Sequence, residues 1–104
     1  MAHKIRITPE ADADLRSIGD YIAGQHAPNA ARRFVQSLRR RVASLKTFPL
    51  SYGLAPEAQA VGIELRQMIH GMYRVLYTIE DQHVTIHAVR HGARRPLRPD
   101  ELPE

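Results

Sequence analysis

Residues Ile63 to Arg95 read IELRQMIHGMYRVLYTIEDQHVTIHAVRHGARR. The stretch divides into three runs rich in β-branched and aromatic residues, broken at His70-Gly71 and at Glu80-Asp81-Gln82. Both breaks are short and made of turn formers, so each neighbouring pair of runs is expected to be a β-hairpin. The rest of the chain reads as packing for this meander.

Strand parity sorts the side chains of the three runs. Ile63, Leu65 and Ile69 fall on one face, with Gln67 as an exception, and Glu64, Arg66, Met68 and His70 on the other. Tyr73, Val75, Tyr77 and Ile79 oppose Arg74, Leu76 and Thr78. Val84, Ile86 and Ala88 oppose Thr85, His87, Val89 and His91. The second face is then expected to gather Glu64, Arg66, Arg74, His87 and His91. Arginines with histidines suit phosphate binding and proton transfer, because imidazole titrates near neutrality and guanidinium stabilises phosphate charge. The plainer reading is a solvated face with cross-strand charge pairs. Metal binding has little support, for no second carboxylate or fixed helical spacing accompanies the histidines.

Upstream, His3 to Ile7 alternates as a short strand with Ile5 and Ile7 on one side. Thr8-Pro9-Glu10 then opens a helix with a hydroxyl cap, a proline at the first position and an acid at the positive end. Ala11, Leu15, Ile18 and Ile22 form its apolar stripe, and it is expected to end near Gly24. After a turn over Gln25 to Pro28, a second helix carries the stripe Ala31, Phe34, Leu38, Val42 and Leu45 and is stopped by Phe48-Pro49. Residues 50–61 have no clear period and read as a connecting loop. The helical hairpin needs an apolar sheet face to cover. The expected fold is α+β in the order β-α-α-β-β-β, the hairpin packed on one face of a mainly antiparallel four-stranded sheet. It forms one domain over residues 1–104, with 96–104 as an exposed tail.

A chain of 104 residues suits one modest core. No segment is long and apolar enough for a membrane span, and the charged start lacks the apolar core of a signal peptide, so a cytoplasmic protein is expected. Zero cysteines exclude disulfides and thiol chemistry. The net charge of +4 comes from 15 basic and 11 acidic residues, with only Lys4 and Lys46 as lysines. Arginine favours planar contacts to phosphate or carboxylate, which points to an acidic or polyanionic partner. No cofactor is expected.

Several pieces, in order along nearly the whole chain, resemble the RelE/ParE superfamily of bacterial type II toxins. They are Ala13 to Ile22 on the first helix, Phe48-Pro49, Glu64-Leu65-Arg66, Gly71 to Tyr77, and Val89 to Arg95. The resemblance implies a toxin held inactive by a cognate antitoxin. Its ribonuclease branch cleaves mRNA on the ribosome, and there Arg66, Arg74 and His91 would be the catalytic residues. Its ParE branch blocks DNA gyrase and is not known for nuclease activity. The Leu15-to-Ile22 pattern and Gly92-Ala93-Arg94-Arg95 look more ParE-like, with Arg94 and Arg95 as the implied target contacts. No tyrosine follows the fourth strand and the sheet lacks lysines, which weighs against RNA cleavage. A non-toxic interaction module is the remaining alternative.

Overall fold

The computed structural model describes residues 2–25 and 28–92. Strand β1 (Lys4–Ile7) leads into helices α1 (Pro9–Gln25) and α2 (Pro28–Ser44). A 3₁₀ turn (Pro49–Ser51) and a short helix α3 (Ala58–Val61) follow, then strands β2 (Arg66–His70), β3 (Tyr73–Glu80) and β4 (His83–His91). The sheet order is β1-β4-β3-β2, with β1 parallel to β4 and the other pairs antiparallel. This is the expected α+β arrangement, with β1 at one edge of the sheet beside β4. The expected tail at 96–104, together with Arg94 and Arg95, lies outside the described residues.

Local chemistry explains the elements. The hydroxyl of Thr8 accepts the Ala11 N–H at 3.1 Å, capping α1, while the Thr8 N–H bonds Ile86 O and so ties the cap to β4. Helix α2 ends a turn before Phe48-Pro49. There the N–H groups of Leu45, Lys46 and Thr47 reach back three residues rather than four, tightening the last turn. Gly71 (φ 60°) and Asp81 (φ 54°) open the two-residue hairpin loops in a left-handed conformation that glycine adopts freely and aspartate tolerates.

The main core joins Ala11, Leu15 and Ile18 of α1 and Leu38, Val42 and Leu45 to Met68, Val75, Tyr77, Val84, Ile86 and Val89 of the sheet. Each large side chain buried there stabilises the fold by about 2 kcal/mol. The opposite sheet face is covered too. Leu65, Leu76 and Ala88 pack beneath Ala55 and Ala58, with Val61 and Ile63 beside them. The segment read as a plain loop is therefore a second, smaller layer.

Two face assignments are corrected. Strand β2 sits the other way round: Arg66 pairs with Tyr77, Met68 with Val75 and His70 with Tyr73, so these three point toward the helices. Ile69 instead opposes Arg74 and is half exposed. On β4, a bulge shifts the register between Leu76↔Ala88 and Tyr77↔Ile86, leaving His87 as the extra residue. Parity reverses beyond it. Val89 and His91 turn toward the helices, and Ala88 and Arg90 turn away.

Candidate functional site

The three residues read as a catalytic set are not brought together. Arg74 lies on the α3 side of the sheet. Its Nη1 donates to Glu57 Oε1 at 3.0 Å and to Gln67 Oε1 at 3.0 Å, and its Nη2 donates to Glu57 Oε2 at 2.7 Å. Both partners of this forked ion pair are buried. Arg66 lies on the helix side, donating to Tyr52 O at 2.7 Å, with Glu64 at 3.6 Å. His91 shares that side but stands two strands across and four residues further along the sheet, about 16 Å away, edge-on to Tyr73 at 5.3 Å. The polar face expected to hold Glu64, Arg66, Arg74, His87 and His91 together is thus divided between two sides and two ends of the sheet.

His70 and His87 are built into structure. His70 accepts from Arg41 Nη1 at its Nδ1 (3.4 Å) and faces Ser37 Oγ through its Nε2 (3.2 Å). Guanidinium can only donate, so this geometry calls for neutral imidazole with the proton on Nε2. Burial, then the charges of Arg41 and Arg40, hold its pKa below 6.5. His87 meets Thr78 Oγ1 at 2.8 Å, and burial lowers its pKa as well. The Tyr77 hydroxyl, donated to Pro49 O, is pushed up to about 12 chiefly by burial.

The feature that stands open is a groove of about 780 Å³ between α1 and the far ends of β3 and β4. Ile18, Tyr21 and Ile22 of α1, Phe34 of α2, Met72 in the hairpin loop, and Tyr73 and Val89 of the sheet make it mainly apolar. Tyr21 and Met72 are each about two-thirds exposed. A row of rings crosses the sheet at its inner wall: His70, Tyr73 and His91 lie side by side on three strands, with Phe34 set against the first two at 5.6 and 5.5 Å. Sequence parity had placed the two histidines of this row on the opposite face, so the row was not read.

Two polar features border the groove. Strand β1 stops opposite Ile86, and among the described residues no strand pairs with that edge of β4 further on. The Gly92 N–H bonds Met72 O, which sets the ladder phase so that the Val89 N–H points away from β3. The Asp14 carboxylate, reaching from α1, accepts it at 2.9 Å. Arg90, at the rim, keeps its Nε buried with no hydrogen-bond partner among the described residues.

Residues 5–96 match the family described as the ParE toxin of type II toxin–antitoxin system, parDE. Among curated proteins none matches the chain in sequence. The fold is similar to that in the chromosomal ParDE toxin–antitoxin system from P. aeruginosa. The TM-score is 0.74 at 17% identity, over 86% of this chain and 96% of that one. It is also similar to the RelBE2 toxin–antitoxin complex from Mycobacterium tuberculosis. There the TM-score is 0.61 at 24% identity, over 88% of this chain and 99% of the other.

Proposed function

The chain belongs to the ParE toxin family of type II toxin–antitoxin systems, and from that premise we propose that it acts by binding, as a cytoplasmic inhibitor of DNA gyrase. The observation that carries this choice over mRNA cleavage is the fate of Arg74. A ribonuclease needs a guanidinium ready to meet a scissile phosphate, beside a group that moves a proton. Here Arg74 is committed to Glu57 and Gln67 on one side of the sheet, while Arg66 and His91 are on the other. Binding to gyrase asks for surface contacts instead, and Arg94 and Arg95 beyond β4 are our candidates for them.

Neutralisation is assigned to the groove. A cognate antitoxin segment, as an amphipathic helix or an added strand, would bury Tyr21, Met72 and Ile22 and offer an acceptor to Arg90. The test runs two assays side by side with the purified chain: supercoiling by gyrase, and cleavage of ribosome-bound mRNA. We expect supercoiling to be inhibited and the mRNA to stay intact, with R94A/R95A relieving the inhibition. Cut mRNA with unaffected gyrase would reverse the assignment. Expression that leaves growth unaffected would favour a non-toxic interaction module.

A further inference from the structure

The exposed side of α2 has no part in the core, the groove or the buried Arg74–Glu57 pair. Arg32, Gln36, Arg39 and Ala43 recur at helical spacing along it, flanked by Arg33 and Arg40, and all six are exposed. The helix holds no acidic residue. Its arginines form two adjacent pairs, 32/33 and 39/40, about 10 Å apart along the axis. Arg32, Arg33 and Arg40 have no carboxylate within ion-pair distance among the described residues. Arg39 meets Asp12 only at 3.6 Å, across two half-exposed side chains, and Asp12 is shared with Arg16. Such a pair is weak and easily exchanged. Arg41 is different, for it is turned inward onto His70, Tyr52 and Ile69 O.

We infer that this ridge is a binding surface for the phosphate backbone of duplex DNA. Four guanidinium groups on one convex face repel one another in the free protein, and a polyanion relieves that repulsion while releasing its counterions. A protein partner is a poorer fit, because a protein interface needs an apolar or aromatic centre, and the apolar hollow bordering the ridge at Arg39 and Ala43 is small, about 110 Å³. Single-stranded nucleic acid is a poorer fit too, since no aromatic side chain is present to stack a base. B-form DNA has a major groove about 12 Å wide, open to a helix, whereas the A-form groove of duplex RNA is deep and narrow. Glu10, Asp12 and Asp20 on neighbouring α1 disfavour approach from that side, so the DNA is oriented along α2. Of α2, only Phe34 lines the groove, which leaves the ridge open when the groove is filled.

The inference is independent of gyrase inhibition and is tested on the full chain. Binding to a 20-bp duplex of arbitrary sequence is followed by fluorescence anisotropy from low to moderate salt. Each phosphate contact contributes about 0.9 to the slope of log affinity against log salt. R33Q/R40Q should therefore flatten the slope by about 1.8. K4Q/R6Q, which removes the same charge from β1, should leave it unchanged. Both pairs are exposed, so melting temperatures should match the parent's and exclude unfolding. Equal losses from the two variants would overturn the inference, as would no loss from R33Q/R40Q or no binding by the parent at low salt. Polyglutamate of matched charge bound as tightly as the duplex would assign the ridge to an acidic protein instead. Duplex RNA bound more tightly than DNA would overturn the choice of DNA.

Discussion

Arg74 carries the sharpest test at the scale of single residues. Its guanidinium and the Glu57 carboxylate are both almost fully buried, with two bonds between them and a third to Gln67. Removing one member of such a pair leaves a charge out of water with nothing to balance it, which costs about 3–5 kcal/mol. Arg74→Ala should lower the unfolding free energy measured by urea denaturation by that amount. Glu57→Ala should do much the same, and the double variant should lose clearly less than the sum, because the two act as one unit. Full stability in Arg74→Ala together with lost mRNA cleavage would restore Arg74 as a catalytic group. Arg74 was legible in the sequence as a chemically suggestive residue, but its partner was not. An isolated glutamate in an aperiodic segment carries no periodic or spacing signal, so nothing marked Glu57 as buried.

Whole strands show where parity succeeds and where it needs register. The alternation correctly put Val75, Tyr77, Val84 and Ile86 against the helices. It failed on β2 because alternation alone does not say which of two faces is buried. Turn length does. With Gly71-Met72 as a two-residue loop, residue 70 stands opposite 73 and 68 opposite 75, so Met68 must share a side with Val75. The β4 bulge has no such signature; His87 fits either parity, and Ala88 next to Val89 is apolar on both. The β2 correction makes a prediction. Met68 is fully buried and Ile69 is half exposed. Met68→Ala should cost about 2–5 kcal/mol, while Ile69→Ala should stay within about 0.5 kcal/mol of the parent. Chemical denaturation of the two variants reads this directly, and a larger loss from Ile69→Ala would mean the strand faces the other way.

Taken whole, the molecule holds its arginine-rich helix face apart from its larger apolar groove. The acids gather on α1 and the arginines on α2, while the apolar groove opens at the far ends of β3 and β4, beside Tyr21 and Met72. A partner that buries this groove stabilises the folded toxin by mass action, by about 2.7 kcal/mol when present at a hundred times its dissociation constant. Antitoxin should therefore raise the melting temperature of the chain in proportion to the logarithm of its concentration. The variant that tests the site is Y21A/M72D, since both side chains project into solvent and their replacement leaves the core intact. Large aromatic anchors and an apolar centre commonly account for 2 kcal/mol or more of binding, and a buried aspartate adds a desolvation cost. The double variant should melt like the parent when alone, remain toxic to growing cells, and lose both the thermal shift and the rescue by co-expressed antitoxin. Rescue that persists in Y21A/M72D at parental levels would move the antitoxin elsewhere on the surface. Loss of toxicity with rescue untouched would instead make the groove part of the surface that meets the target.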